Sequence, residues 1–219
     1  DVLIRAWVEA FTANDDVCLL LRTYPYAFHD DRKSKQYIRQ AIKKHLKDMG
    51  LTAKDIAPII LLNHIKENQM PSLYKSAHAF VLPSRGEAYG RTYLEAMAME
   101  LPTIGTRWSG NLDFMNDDNS YLIETDGLET VTQVEPCFKF YMGHKWAKPS
   151  WRHLAEILEY IVKNYDKAIA KGKQARRDIV KCYEITKVCE KIKLRLQQVE
   201  KQLGVKVATR LHVTWEGPI

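Results

Sequence analysis

Cysteine is sparse in this sequence, and none of it is paired by spacing. Cys18, Cys137, Cys182 and Cys189 are scattered over 219 residues. The absence of Cys-x-x-Cys removes the usual zinc and thioredoxin-type signatures, and the pattern fits a reducing, cytoplasmic setting. No apolar run approaches the roughly 20 residues that a bilayer span requires. The opening Asp1-Val2-Leu3-Ile4-Arg5-Ala6-Trp7 lacks the basic n-region and cleavage site of a signal peptide. It also lacks an initiator Met, so the simplest reading is a piece cut from a longer protein. No Gly-x-Gly-x-x-Gly follows a strand-like run, which argues against an ordinary dinucleotide-binding dehydrogenase. No His/Asp/Glu cluster has metal-ligand spacing, so no metal and no other cofactor is expected.

What is present is ordinary for a globular domain: 46% hydrophobic and 27% charged residues. The net charge is +6, with the basic excess gathered from Lys163 to Lys206. A solvated helix face is the first reading of that run. Attraction to anionic lipid, as in peripheral membrane contact, or to a charged acceptor is the second. Nucleic acid is disfavoured, because no basic patch is interleaved with aromatics.

Apolar positions in Val2–Phe11 recur at helical spacing. Val17–Leu21, in which Cys18 reads as a small core residue, has strand length, and its lack of alternation suggests burial on both faces. A helix follows to Met49, with Gly50 at its C′ position. The alternation repeats: strand Ile59–Leu62, helix Pro71–Ala77, strand Ala79–Leu82, helix Arg91–Glu100, strand Pro102–Gly105, a turn or short helix at Ser109-Gly110, and strand Tyr121–Ile123. Strands alternating with helices predict an α/β fold, a Rossmann-like doubly wound parallel sheet with helices on both faces. Glu124–Pro149 breaks the pattern and reads as a long loop with one strand at Thr130–Glu135. Helices return at Ser150–Asn164 and run on to Leu203, ending at Gly204. The expected organisation is a Rossmann-like ligand-binding domain over 1–165, a helical extension over 166–204 and a strand-like tail over 205–219.

The segment Pro83-Ser84-Arg85-Gly86-Glu87-Ala88-Tyr89-Gly90 joins a strand to a helix. Ligands of open α/β sheets bind at the carboxyl ends of strands. Gly86 and Gly90 permit tight turns and close approach to a ligand, and the following helix offers free N–H groups and a positive dipole end. Together they suit a diphosphate. Glu87 lies in the loop and Glu95 a turn into the helix, so the two carboxylates can take hydroxyls from two parts of one elongated ligand.

Pro83-Ser84, Glu87, Tyr89-Gly90, Glu95-Ala96-Met97-Ala98, Leu101-Pro102-Thr103-Ile104 and Ser109-Gly110 resemble the signature of the retaining glycosyltransferases of family 4, over roughly the first 125 residues. The resemblance implies one half of a GT-B fold, the C-terminal half that binds a UDP- or GDP-sugar donor. A missing N-terminal domain would take the acceptor, whether glycan, lipid or other. It implies glycosyl transfer with retention and no obligatory metal, and a fragment that is inactive alone. By the same resemblance Glu87 is the catalytic-site carboxylate at the donor sugar, and Glu95 holds the ribose. N–H groups from Ala88, Tyr89, Gly90 and Arg91 hold the diphosphate, Thr92 adds a hydroxyl, and His64 lies by the base. Ala88 stands where the family has Gly, Arg91 where it has an apolar residue, and Leu101 follows Glu100 where Gly is common. The family's basic residues on the first strand fall before Asp1.

Taken alone, Glu87 and Glu95 would be surface glutamates; the flanking motif turns that reading toward donor binding. Arg91 is balanced between surface cation and phosphate ligand. Arg22 reads as a surface or ion-pair residue, His45 as structural, and Trp146 and Trp151 as packing residues. A domain that binds a nucleotide sugar without catalysis is the alternative.

Overall fold

A computed structural model describes residues 1–23, 31–134 and 136–204, the side chains of residues 31, 32, 136 and 137 aside. The strand expected at Leu211–Trp215 and the loop expected at Thr23–Tyr26, beyond Thr23, lie outside the described residues. The order is α1 (Val2–Ala10), β1 (Leu19–Leu21), α2 (Asp31–Asp48), β2 (Ile59–Leu61), α3 (Met70–Lys75), β3 (Phe80–Leu82), α4 (Arg91–Ala98), β4 (Thr103–Thr106), β5 (Tyr121–Ile123), β6 (Thr125–Thr130), β7 (Lys145–Pro149), α5 (Trp151–Lys163), α6 (Tyr165–Tyr183) and α7 (Ile185–Leu203). The chain forms two compact units that divide after Asp178.

In the first unit the α/β layer is parallel. β1 pairs with β2, and β3, β4 and β5 pair in that order. The two groups are separate ladders but share one core. Leu19, Ile104 and Ile123 meet Trp7 of α1, Phe11 at its C-cap and Leu154, Ile157, Leu158 and Ile161 of α5 there. Each such buried aliphatic side chain contributes about 1.5–3 kcal/mol. Asp1 caps α1 through its carboxylate at 2.6 Å from the Val2 N–H. The Trp7 indole N–H donates to the Ala57 carbonyl at 3.0 Å, tying α1 to the segment before β2. Gly50 closes α2 with φ of +74°, as its position predicts.

Two expectations need correction. Cys18 is exposed, because β1 begins one residue after it and only Leu19 of that strand is fully buried. The 124–149 stretch is more than a loop, and of the strand expected at Thr130–Glu135 only Thr130 is in a strand, residues 131–134 are not, and Glu135 lies outside the described residues. The stretch forms an antiparallel hairpin of β6 and β7, with its strand earlier and a partner the sequence concealed. A register shift between Thr125 and Leu128, where Gly127 has φ of +91°, breaks the alternation that would have revealed β6.

The turn after α4 also departs from the family pattern. Glu100, not glycine, takes the left-handed conformation with φ of +63°. Gly172 of α6 sits against that turn, and a Cβ there would lie 2.1 Å from the Glu100 carbonyl oxygen. Gly172→Ala is therefore expected to destabilise this unit by about 1–2 kcal/mol, less than a fixed contact would cost because a helix can back off as a body. A chemical-denaturation midpoint equal to that of the parent would refute it.

In the second unit α7 has no fully buried residue. Gly204 ends it with φ of +66°.

Candidate functional site

The loop Pro83–Gly90 leaves the carboxyl end of β3 and enters α4. Its backbone is held at several points. The Tyr93 hydroxyl, from the first turn of α4, donates to the Leu82 carbonyl at 2.6 Å and lies 3.2 Å from the Ser84 hydroxyl. The Thr106 hydroxyl at the end of β4 donates to the Ser84 carbonyl at 2.6 Å. The Ala147 N–H of β7 donates to the Arg85 carbonyl at 2.9 Å. At Glu87, the N–H donates to the Ser109 hydroxyl at 2.7 Å and the carbonyl accepts from the Gly110 N–H at 3.1 Å.

Side chains reinforce this frame. Arg85 pairs with Glu129 of β6 and with Asp1 at 2.6 Å, and its guanidinium lies 5.1 Å from the Trp146 ring centroid. The Trp146 indole N–H donates to the same Glu129 carboxylate at 2.9 Å. Trp146 is thus more than a packing residue: it steers Glu129 toward the loop. Trp151 lies beneath Arg5, 4.1 Å from its ring centroid.

Gly90 is the N-cap of α4, with φ of +89°, and a Cβ there would meet the Tyr93 ring at 2.6 Å. Glycine is required for both reasons. Gly86 is not comparable: it has no positive φ, and nothing lies within 4 Å of a Cβ built on it. Gly110 is packed against the loop itself, since its Cβ would fall 2.2 Å from the Ala88 carbonyl oxygen.

The sequence-predicted residues Glu87, Ala88, Tyr89, Gly90, Arg91, Thr92 and Glu95 lie together on this loop and the first turns of α4. Among the described residues, no hydrogen bond or ion pair engages the Glu87 carboxylate. Glu95 is different. One of its oxygens accepts from the Tyr74 hydroxyl at 2.9 Å, and the other lies 4.0 Å from the Arg91 guanidinium. Burial and then the neighbouring Glu95 push the Tyr74 phenol pKa strongly upward, so it stays protonated and remains a donor. Arg91 reaches into solvent with a side chain 86% exposed, so its pair with Glu95 is worth little. Ala88, Tyr89 and Thr92 are exposed, with Tyr89 edge-on to Phe114 at 5.4 Å between centroids. The Tyr93 N–H already donates to the Gly90 carbonyl at 3.1 Å, whereas the Arg91 and Thr92 N–H groups lie in the first turn, where a helix supplies no acceptor and its dipole favours an anion. His64 stands exposed just beyond β2, in the other strand group. His45, expected to be structural, is partly buried, and burial pulls its pKa down. Among the described residues no group of His, Cys, Asp or Glu could hold a metal ion, and no helix is long and apolar enough to cross a membrane.

Sequence reasoning missed Tyr74, Tyr93 and Thr106, and it placed Ser109 only in the signature turn, without its bond to Glu87. Tyr93 and Tyr74 are buried on their helices; only the reach of their hydroxyls, a tertiary property, distinguishes them.

Comparison with known proteins agrees with this layout. A family profile described as "Glycosyl transferases group 1" matches residues 2–135. The mannosylfructose-phosphate synthase of Agrobacterium fabrum is 34% identical over 73 residues, 33% of this chain and 15% of that protein. Among solved structures, Anabaena HepE in complex with UDP and glucose aligns with a TM-score of 0.64 at 14% identity, covering 90% of this chain and 44% of HepE. The C-terminal domain of LpcC, a group 1 family glycosyl transferase of Francisella tularensis, aligns with a TM-score of 0.56 at 19% identity, covering 84% of this chain and 78% of that domain. The structural likenesses show the fold, an α/β half of the GT-B type. The chain spans less than half of HepE and a small part of the synthase.

Proposed function

The chain belongs to the group 1 glycosyl transferases, and on that premise we propose that it is the donor half of a retaining, family 4-type glycosyltransferase that uses a nucleotide-diphosphate sugar. The observation that carries this reading is the clamped Pro83–Gly90 loop. It holds an unengaged Glu87 carboxylate beside the free N–H groups of α4, with the oriented Glu95 a turn further in. An elongated donor fits that order: sugar hydroxyls on Glu87, diphosphate over Gly90 and Arg91, ribose on Glu95, and base toward His64.

The hard step is departure of the nucleoside diphosphate. Preorganised N–H groups and the helix dipole stabilise the charge that develops there, at no reorganisation cost, because the loop is already fixed. Glu87 orients the sugar and favours the positive character gained at its anomeric carbon. The acceptor and its binding surface belong to a facing domain, so this chain alone holds a donor without transferring its sugar. UDP is the first nucleotide to test, because HepE was crystallised with UDP and glucose; GDP is the second.

Calorimetry of the chain with UDP, GDP and their glucose conjugates tests the reading. Binding of one pair is expected, and a ligand at a hundred times its Kd adds about 2.7 kcal/mol of stability. Tyr74→Phe leaves Glu95 unoriented and is expected to weaken the nucleoside diphosphate about three- to tenfold, the worth of one hydrogen bond. A chain that binds neither nucleotide, or a Tyr74→Phe variant with parental affinity, contradicts the respective assignment.

A further inference from the structure

We propose that Ser109 is a positioning residue for Glu87, held in a glycine-type backbone conformation so that its hydroxyl can fix the Glu87 amide. The inference rests on the donor-site reading above and adds a residue to it.

Ser109 has φ of 71° and ψ of −154°. Among the described residues, Glu100 and Ser109 are the non-glycine residues with positive φ. Glu100 is at the end of a helix, a common place for a left-handed residue. Ser109 is further out: a positive φ with an extended ψ is a region populated essentially by glycine, because a Cβ there crowds the backbone. A serine kept in such a conformation is strained, and glycine would remove the strain. Strain of this kind persists where the surrounding structure over-determines it, and it concentrates at ligand sites.

The surroundings do over-determine it. Thr106 at the end of β4 has its carbonyl bonded by the Asn111 side-chain amide at 2.9 Å and by the Trp108 N–H at 2.8 Å. The Arg107 N–H donates to the Ile123 carbonyl of β5 at 2.8 Å. The turn therefore leaves the sheet on a fixed course. It delivers the Ser109 hydroxyl to the Glu87 N–H at 2.7 Å and the Gly110 N–H to the Glu87 carbonyl at 3.1 Å. Both backbone polar groups of Glu87 are bonded by consecutive residues of one turn, which sets the direction in which its carboxylate leaves the loop. Glycine at 109 would keep the second bond and lose the first. The serine thus exchanges backbone ease for a defined Glu87.

Two variants separate this role from plain loop structure. Ser109→Gly removes both the strain and the hydroxyl; Ser109→Ala removes the hydroxyl and keeps the strain. Ser109→Gly is expected to melt at or above the parent and Ser109→Ala below it. In both, the Glu87 amide should exchange with solvent about three- to tenfold faster, the population effect of one neutral hydrogen bond. Affinity for UDP or GDP should hold, while the added affinity of the matching sugar conjugate falls about three- to tenfold as the Glu87 carboxylate loses its fixed direction. Parental amide exchange at Glu87 in both variants overturns the proposal whatever binds. So does parental sugar discrimination in both variants when Glu87→Gln loses it. If Glu87→Gln itself discriminates as the parent does, the donor-site reading fails, and the Ser109 role falls with it.

Discussion

Glu87→Gln is expected to lower kcat/KM for transfer by roughly 10²–10⁴-fold in the enzyme that carries this chain. That is the loss of about two charge-assisted hydrogen bonds to sugar hydroxyls at 1.5–3 kcal/mol each. Glutamine matches the shape of glutamate and keeps one acceptor, so the effect isolates charge. Because no described hydrogen bond or ion pair engages this carboxylate, nothing structural is lost with it. Stability should stay within about 0.5 kcal/mol of the parent. Steady-state transfer assays alongside thermal denaturation check both halves. Transfer at the parental rate removes Glu87 from the chemistry, whereas a large fall in melting temperature would mean that its role is to hold the loop.

Gly110→Ala should do the reverse, damaging the frame first and the chemistry through it. The added methyl would stand 2.2 Å from the Ala88 carbonyl oxygen and 2.7 Å from its carbon. These are backbone atoms of a loop tied to Tyr93, Thr106, Ser109 and β7, so they cannot turn aside as a side chain would. We expect a cost of about 2–3 kcal/mol, which for a unit of this size corresponds to roughly 5–10 °C in melting temperature. Donor binding should be lost as the Glu87 backbone moves away from α4. Gly86→Ala, four residues from Gly90 in the same loop, is the matched control. Nothing lies within 4 Å of its Cβ, so both stability and binding should be parental. If the two alanines behave alike, the close approach of the Ser109–Gly110 turn to the loop is not what shapes this site.

The positioning of Arg85 shows how the hairpin enters the site. By its pattern 124–149 reads as a loop with one strand at Thr130–Glu135, yet β7 supplies a backbone bond to Arg85, and β6 supplies the carboxylate that pairs with it. Together they clamp the outer end of the Pro83–Gly90 loop, while the antiparallel ladder between β6 and β7 makes the segment two strands.

The sequence by itself determined the alternation of strands and helices through Ile123, the left-handed glycines at 50, 90 and 204, and the grouping of Glu87, Gly90 and Glu95 on one strand-to-helix junction. All of these follow from local causes: apolar period, backbone sterics, and residues within a dozen positions of one another. Only the tertiary structure decided which groups hold that junction in shape. Tyr74 meets Glu95, Ser109 meets Glu87 and Arg85 meets Glu129 across 21, 22 and 44 positions of chain. Their side-chain types are ordinary for core or turn. What makes them partners is where the sheet, the β4 turn and the β6–β7 hairpin bring backbone and hydroxyl groups within hydrogen-bonding distance, and no local pattern records that distance.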